Sequence, residues 1–396
     1  MPRSFRRIDA VPPYAFAAVD ALKQELRREG RDVVDLGFGN PDIASPTIAV
    51  EKLREAAGKA RNHRYSASRG IPKLREAICD LYRRRFGVEL DPETQALTTI
   101  GAKEGLTHLM WVLLEPGDTA VEPKPSYPIH QFAPFFAGAT VARAPVAGGA
   151  EALEEAAASL PVPPRAIVLS YPHNPTTACA DLELLERAVA LARAHGAVLV
   201  HDFAYADIAF DGHEPPSVLQ VPGADEVAVE LYTLTKGYSM AGWRVGFLLG
   251  NAEVVAALGR LKSYLDYGTF QPIQIAATVT MNEAREYPHE VAEIYRGRRD
   301  ALCDGLARIG WEVERPRGTM FVWAPIPEPY VSLGSHEFSL RLAREAFVAV
   351  SPGAGFGEGG EGFVRFALVE NEQRIRQAVR GIRRALAELK PQTALA

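Results

Sequence analysis

The sequence predicts an α/β fold with a largely parallel central sheet flanked by helices, together with a smaller α+β domain. Between about residues 95 and 250, seven short apolar runs alternate with helical patterns. The runs show no alternation of polar and apolar residues, which is typical of strands buried on both faces of a parallel sheet. Beyond about residue 285, charged helices and isolated short strands indicate the second, smaller domain.

The predicted strands are "ALTTI", "TAVE", "ATVARAPV", "RAIVLS", "GAVLVHD", "EVAVELYTL" and "VGFLLG", with helices such as "KEGLTHLMWVLLE" and "DLELLERAVALARAHG" between them. Ahead of them, residues 14–29 place Val19, Leu22 and Leu26 at helical spacing, and Gly30 follows as a stop. The C-terminal part reads as a helix, "WEVERP", "GTMFVWAPI", another helix, "VAVSPG" and "GFVRFALV".

A chain of 396 residues exceeds the usual length of a single domain, so we expect two packed domains. We expect residues 1–44 to form an N-terminal arm and part of the small domain. Residues 45–285 would form the large domain, and residues 286–396 the small C-terminal domain.

Composition excludes several classes of partner. The net charge of −5 gives no reason to expect nucleic acid or an anionic membrane surface. No segment stays apolar for the ~18 residues that a membrane span requires. Cys79, Cys179 and Cys303 lie far apart in sequence, which favours reduced thiols over a disulfide framework or a zinc site. We therefore expect a cytoplasmic protein that binds neither nucleic acid nor a membrane.

Polar residues follow five of the predicted strands. Ligands of open parallel sheets bind in the crevice beyond the carboxyl ends of the strands. The segments "TTIGAKEG", "TAVEPKPSYP", "RAIVLSYPHNPT", "GAVLVHDFAY" and "VAVELYTLTK" would place at that edge Tyr127, Asn174, Asp202, Tyr205, Thr233, Thr235 and Lys236.

These residue types match the functional groups of one cofactor. An amine at the rim of an apolar sheet is poorly solvated, so the pKa of Lys236 should fall and its neutral form can attack an aldehyde. Asp202 could keep a pyridine nitrogen protonated. The helix start at "GAKEG" offers N–H groups to a phosphate, and Thr233, Thr235 and Arg244 add hydroxyls and a positive charge. Aldehyde, pyridinium and phosphate together describe pyridoxal 5′-phosphate.

At these residues the chain resembles the fold-type I pyridoxal-phosphate enzymes and, among them, the class I/II aminotransferases. The resemblance runs from "VVDLGFGNPD" and "YSASRGIPKLREAI" through "GAKEG", "PSYP" and "NPT" to "HDFAY", "TLTKGYSMAGWRVG" and "RFAL". The stretch from "YPHNPTT" to "IAFDG" is most similar to the branch that holds alanine (glutamate–pyruvate) and LL-diaminopimelate aminotransferases.

The resemblance implies a role for each residue around the cofactor ring. Lys236 would hold the cofactor through a Schiff base and then move the proton between the substrate α-carbon and the cofactor. Asp202 would pair with the pyridine nitrogen, and Tyr127 would stack on the ring face. Asn174 and Tyr205 would form hydrogen bonds with the phenolic oxygen of the ring.

The resemblance also implies how the two ends of the site are held. The phosphate would contact Ala102, Lys103, Thr233, Thr235 and Arg244. Arg365, in "GFVRFAL", would grip the α-carboxylate of the substrate, helped by Asn174 and the backbone of Gly39. Tyr65 would reach the phosphate of the partner subunit, which implies a homodimer with shared active sites.

The chain departs from the family pattern in two respects. The glycine common after "NPT" is Thr177 in this chain, and threonines stand where serines usually precede the lysine. Both changes bear on the local geometry of the site.

Several residues have plainer interpretations. Lone lysines are usually solvated, so we expect this of Lys103, which would lend only its backbone N–H, and of Lys262. Asp202 could instead cap a helix in the segment after it. His173 and His201 are expected to be structural histidines with satisfied hydrogen bonds. The segment "GFGEGG" matches a dinucleotide fingerprint, but a strand-like segment follows it where that motif needs a helix.

The sequence thus predicts an aminotransferase that passes an amino group from an L-amino acid to a 2-oxo acid, such as 2-oxoglutarate or pyruvate, by a ping-pong mechanism. A β-eliminating C–S lyase and a non-catalytic regulator with the same fold remain alternatives, and the failed glycine fingerprint counts against an NAD-dependent dehydrogenase. No metal is expected. Selectivity for the substrate side chain is expected in the segment from Tyr14 to Ile43 and in "KSYLDYGTFQ".

Overall fold

The computed structural model describes residues 5–12 and 16–388 and arranges them around two β-sheets. The strands are β1 Val34–Leu36, β2 Ala96–Thr99, β3 Thr119–Lys124, β4 Thr140–Pro145, β5 Ala166–Ser170, β6 Val198–Asp202, β7 Ala228–Thr233, β8 Gly246–Gly250, β9 Phe321–Pro325, β10 Val348–Pro352 and β11 Phe363–Ala367. Strands β2 to β8 form the larger sheet, and the other four form the smaller one.

Along the chain, the α-helices of the described residues precede, separate and follow these strands. They are α1 Arg6–Asp9, α2 Ala17–Arg28, α3 Thr47–Ala57, α4 Pro72–Phe86, α5 Ala102–Leu113, α6 Pro128–Ala137, α7 Gly149–Ala158, α8 Leu182–His195, α9 Ala252–Leu265, α10 Gln271–Glu283, α11 Tyr287–Ala307, α12 Gly334–Arg341 and α13 Glu372–Glu388. None of them is both long and apolar enough to cross a membrane.

The larger sheet has the order β2-β8-β7-β6-β5-β3-β4 and is parallel except at β8. Strand β8 runs antiparallel to both of its neighbours, β2 and β7, while the other pairs are parallel. All seven strands predicted from apolar runs are present, and the prediction of a largely parallel central sheet is confirmed.

Burial on both faces explains why the strands lack alternation. All five residues of β5 are buried. Ile167 and Leu169 pack into the apolar cluster on one face of the sheet, while Ala166 and Val168 pack into the cluster on the other. Because both faces meet helices, every position of such a strand favours an apolar residue.

The smaller sheet has the order β1-β10-β11-β9 and combines both ends of the chain. Strand β1 pairs in parallel with β10, so the N-terminal segment contributes to this sheet as expected. "WEVERP" forms no strand, and Trp311 donates instead to the Pro325 carbonyl at 2.7 Å. The domain limits at residues 44 and 285 stay a prediction.

Candidate active site

A cavity of about 620 Å³ lies beyond the carboxyl ends of the parallel strands in the larger sheet, and residues of the smaller sheet form part of its wall. Every residue predicted for the site except Tyr65 lines this cavity. The predicted residues found there are Gly39, Ala102, Lys103, Tyr127, Asn174, Asp202, Tyr205, Thr233, Thr235, Lys236, Arg244 and Arg365.

Sheet topology brings the carboxylate and the lysine together. Asp202 is the last residue of β6, and Thr233 is the last residue of β7, which is its parallel neighbour. The turn that follows β7 therefore carries Lys236 to the same edge of the sheet. The 34 residues that separate Asp202 from Lys236 in sequence are thus spanned by one crossover and one strand.

The side-chain amine of Lys236 is an unusually weak base. Its Nζ donates a hydrogen bond to the Gly39 carbonyl at 3.0 Å and lies 5.7 Å from the centre of the Tyr205 ring. Burial, followed by the positive charges of Arg365 and Arg244, lowers the pKa of Lys236 to about 7, against the opposing charge of Asp202. A large fraction of this amine is therefore neutral, and nucleophilic, near pH 7.

His130, which the sequence analysis did not select, holds the Asp202 carboxylate. Its Nε2 lies 2.8 Å from Asp202 Oδ2, and its Nδ1 lies 2.9 Å from Ser126 Oγ. The available signal was its spacing, because His130 follows Tyr127 by three residues at the start of α6 and so lies on the same side of that helix. Asp202 Oδ1 accepts from Ala204 N at 3.2 Å, but no helix begins there, so the capping alternative is wrong.

Arg365 enters the cavity from the smaller sheet. It lies on β11, and its Nη1 donates to Asn174 Oδ1 at 2.7 Å. Its guanidinium carbon lies 4.0 Å from the centre of the Phe321 ring and 4.6 Å from that of Phe356. Since the two rings and the amide fix the plane of the guanidinium, Arg365 presents an ordered positive charge to the cavity.

A second positive region lies at the first turn of α5. The N–H groups of Ala102 and Lys103 have no partners within the helix because they belong to its first turn. Gly101 precedes them with φ of 77°, and a Cβ there would lie 2.2 Å from Arg244 Nη2. Glycine thus lets the guanidinium of Arg244 approach the helix start, where both favour an anion.

The two threonines of this region are not equivalent. Thr233 Oγ1 donates to the Val245 carbonyl at 2.8 Å and accepts from Thr235 N at 3.2 Å. The hydroxyl proton of Thr233 is therefore committed to the backbone. Thr235 Oγ1 lies 2.8 Å from Thr233 Oγ1 and can redirect its proton toward the cavity.

Tyr65 lies outside the cavity of its own chain. The residue is 84% exposed, and its ring centre lies 4.5 Å from that of Tyr267. Lys103 is exposed as expected, with its Nζ 5.6 Å from the centre of the Tyr127 ring. Tyr14 falls outside the described residues.

Lys262 is fully buried, so the expectation that it is solvated is wrong. Its Nζ lies 3.0 Å from Glu104 Oε1 and 2.9 Å from Asp266 Oδ2, and these two carboxylates compensate the buried charge. Among the described residues, Glu104, His108 and Asp266 form a group with metal-ligand spacing, and the ammonium of Lys262 contacts both of its carboxylates.

The two histidines beside the site differ. His201 is satisfied as expected, since Nδ1 lies 2.7 Å from Glu230 Oε2 and Nε2 lies 3.1 Å from the Tyr171 carbonyl. His173 departs from the expectation: Nδ1 lies 2.8 Å from Thr176 Oγ1, but Nε2 is buried without a partner among the described residues. Burial, followed by the charge of His130, lowers the pKa of His173 to about 3.

The glycine-rich segment 353–362 has no helix after it. A short 3₁₀ turn, Gly353–Phe356, forms the start of this segment, and strand β11 follows it directly. The dinucleotide match is therefore a chance one.

Comparison with known proteins identifies the family. The family model described as aminotransferase class I and II matches residues 31–382. The glutamate–pyruvate aminotransferase AlaC of Escherichia coli K12 is 51% identical over 384 residues, which cover 96% of this chain and 93% of the relative. An LL-diaminopimelate aminotransferase of Syntrophobacter fumaroxidans is 40% identical, covering 96% of this chain and 97% of the relative.

Solved structures agree with this assignment. BacF of Bacillus subtilis, in its substrate-bound structure, superposes with a TM-score of 0.90 at 33% identity and covers both chains completely. The family match, the two relatives and this fold all extend over nearly the whole chain. The chain therefore belongs to the class I and II aminotransferases, which depend on pyridoxal phosphate.

Proposed function

We propose that this aminotransferase exchanges an amino group between L-alanine or L-glutamate and the corresponding 2-oxo acids, pyruvate and 2-oxoglutarate, in two half-reactions. The choice of substrates is supported by the 51% identity to a glutamate–pyruvate aminotransferase. The structural observation that carries the proposal is the pairing of Arg365 with Asn174 in the cavity that Lys236 also lines. In that arrangement Arg365 and Asn174 can bind the carboxylate of an α-amino acid, while Lys236 can transfer a proton at its α-carbon.

The groups that line the cavity fit pyridoxal phosphate. When bound, the cofactor supplies an aldehyde that condenses with amino groups and a pyridinium ring that withdraws electrons from the bonds at the substrate α-carbon. Tyr205 and Asn174 are buried residues that line the cavity, and no hydrogen bond to the Tyr205 hydroxyl or from the Asn174 amide nitrogen is found among the described residues. Both can donate to the phenolic oxygen of the ring, while Asp202 accepts from its nitrogen and Tyr127 covers its face.

The phosphate would lie at the positive region around α5. Ala102 and Lys103 would donate their backbone N–H groups, and Arg244 would supply the charge. Thr235 would donate its hydroxyl. Thr233 would act by orienting Thr235, because its own proton is already used by the Val245 carbonyl.

Lys236 and Arg365 would divide the work on the substrate. Arg365 would bind the α-carboxylate as a planar fork, with Asn174 and the backbone of Gly39 completing the contact. Lys236 would hold the cofactor until the substrate amine replaces it, and its freed amine would then accept the proton from the substrate α-carbon. A pKa near 7 suits an amine that must both accept and return a proton.

Exposed aromatic residues support a homodimer with shared sites. Tyr65, Tyr264, Leu265, Tyr267 and Phe270 expose between 43% and 84% of their surface, and Tyr65 contacts Tyr267. An exposed apolar patch of this kind marks an interaction surface. We propose that a second copy of the chain covers it and that Tyr65 reaches the phosphate in the partner's cavity.

A cytoplasmic location is supported by the cysteines. Cys79, Cys179 and Cys303 are all free thiols, and burial raises the pKa of each, to about 12 for Cys79 and about 11 for the other two. Such thiols are inert at neutral pH and suit a reducing compartment.

A panel of amino acids, each added alone to the purified holoenzyme, tests the proposed substrates. L-Alanine and L-glutamate should each convert the cofactor to its amino form in one turnover and release one 2-oxo acid per subunit. LL-diaminopimelate reacting faster than both would replace the proposed pair. Continuous release of ammonia and pyruvate from L-cysteine would favour the lyase alternative.

A further inference from the structure

The loop Gly37–Gly39 contacts both residues proposed to act on the substrate. The Gly37 carbonyl accepts hydrogen bonds from Arg365 Nη2 at 3.2 Å and from Ser351 Oγ at 2.8 Å. The Gly39 carbonyl accepts from Lys236 Nζ at 3.0 Å. The position of this loop therefore affects the orientation of the guanidinium and of the amine together.

Asp35 lies at the centre of β1, and its side-chain carboxylate binds backbone N–H groups of the loop. Its Oδ1 accepts from Gly37 N at 3.1 Å and from Phe38 N at 3.4 Å. The fit of the loop is close, since a Cβ at Gly39 would lie 2.7 Å from the Phe321 ring. One carboxylate oxygen thus fixes the bend at which the strand becomes the wall of the cavity.

Lys23 fixes the other oxygen of the same carboxylate. Its Nζ donates to Asp35 Oδ2 at 2.7 Å and lies 2.5 Å from Asp20 Oδ1. The side chain of Lys23 is only 8% exposed, so its charge requires these carboxylates. Lys23 lies on α2, and it thereby ties the N-terminal helix to the loop.

We propose that Asp35, held by Lys23, is a positioning residue that sets the loop Gly37–Gly39 and, through it, Arg365 and Lys236. This inference rests on the proposed roles of Arg365 and Lys236. Asparagine cannot replace Asp35, because an amide has one acceptor oxygen and its NH₂ group would face either the ammonium of Lys23 or the N–H groups of the loop.

The chain offers a matched control, because Asp20 and Asp35 both bind Lys23 but only Asp35 contacts the loop. We expect Asp35→Asn to raise the KM for L-alanine by about 10-fold or more, the size of effect expected for lost hydrogen bonds to a charged group. Its kcat should change less, and its affinity for the cofactor should stay at the wild-type value. Asp20→Asn removes one carboxylate partner of Lys23 at the cavity wall but no hydrogen bond to the loop, so it should raise KM less than Asp35→Asn does.

A second readout does not depend on turnover. The hydrogen bond from Lys236 to Gly39 favours the ammonium form, so a displaced loop should lower the pKa of Lys236 below its wild-type value of about 7. The rate at which an acylating reagent labels Lys236 in the cofactor-free protein, measured against pH, reports this midpoint. Lys23→Met should shift it in the same direction, and Lys23→Arg should restore it.

Equal kinetics and equal midpoints for Asp35→Asn, Asp20→Asn and the wild type would overturn the proposal. A melting temperature of each variant accompanies the assay, and if Asp35→Asn does not fold, Lys23→Met decides by the same two readouts. A wild-type enzyme without transamination would instead refute the proposed substrates, and the labelling midpoint would still decide the role of Asp35.

Discussion

Arg365 Nη1 donates a hydrogen bond to Asn174 Oδ1 at 2.7 Å, and this contact joins the smaller sheet to the larger one across the cavity. Asn174 follows β5 by four residues, whereas Arg365 lies at the centre of β11. The site that would bind the substrate carboxylate is therefore assembled from two sheets, so its geometry depends on how they pack.

Arg365→Lys should impair substrate binding although the charge is conserved. An ammonium cannot reproduce the planar fork that reaches Asn174 and Gly37 or stack between two phenylalanine rings. Loss of one charged hydrogen bond, about 1.5 to 3 kcal/mol, lowers kcat/KM by roughly 10- to 150-fold. Steady-state kinetics with L-alanine measure this change. Cofactor affinity, titrated by absorbance, should stay unchanged, and its collapse would assign Arg365 to the phosphate site or to the fold.

The depressed pKa of Lys236 predicts a stability that depends on pH. In the unfolded chain the pKa is near 10.5, and in the folded cofactor-free protein it is about 7. The folded state therefore binds fewer protons between pH 7 and 10.5, and stability rises with pH across this window. The destabilising cost of the buried amine is fully present below pH 7 and is absent above about 10.5.

Lys236→Met should accordingly stabilise the cofactor-free protein more at pH 6 than at pH 10. The gain in melting temperature at pH 6 should be about 1 °C for each kcal/mol of relieved cost, because the unfolding entropy scales with the 396 residues of the chain. Thermal unfolding of both proteins at the two pH values makes the comparison. A difference in melting temperature that does not vary with pH would contradict the depressed pKa.

The departure at Thr177 has a measurable cost. Thr177 adopts φ of 63°, a left-handed conformation that is unfavourable for a β-branched residue. Thr177→Gly removes that strain of roughly 1–2 kcal/mol, against about 0.4–1 kcal/mol of added freedom in the unfolded chain. Denaturant unfolding should show a small net gain in stability with KM unchanged. A loss of stability would mean that the threonine side chain contributes more than its conformation costs.

Shared active sites predict complementation between two inactive variants. If Tyr65 serves the partner's cofactor while Lys236 serves its own, a heterodimer of Tyr65→Ala and Lys236→Ala subunits contains one site with both lesions and one with neither. Such a heterodimer should recover activity that both parent homodimers lack.

Co-expression with two tags yields the doubly tagged dimer, whose transamination is compared with that of the parents. Tyr65→Ala must itself be strongly impaired at the cofactor concentration used. Given that impairment, a heterodimer no more active than its parents would place both residues in one site.

Much of the fold followed from the sequence because it depends on local patterns. Strands buried on both faces give unbroken apolar runs, so all seven strands of the larger sheet could be predicted from such runs. Ligand sites at strand ends follow from the topology, which is why the sequence alone predicts that Asp202 and Lys236 lie close together.

Contacts between distant residues could not be predicted in this way. Lys262 is buried because Glu104 and Asp266, which lie 158 residues before it and four after it, enclose its charge. Lys23 and Asp35 belong to the cavity wall, yet each would be ordinary on a solvated surface. Such roles depend on which side chains form ion pairs in the folded protein, and neither the hydrophobic periodicity of the sequence nor the spacing of its motifs predicts those pairs.

We propose above that Lys236 is the amine that holds the cofactor. Borohydride reduction of the holoenzyme, followed by digestion and mass spectrometry of the peptides, identifies the labelled lysine. We expect one cofactor per subunit on the peptide that contains Lys236, and none on that peptide in Lys236→Ala, which should have lost transamination by orders of magnitude. A label on Lys103 or Lys262 would contradict it.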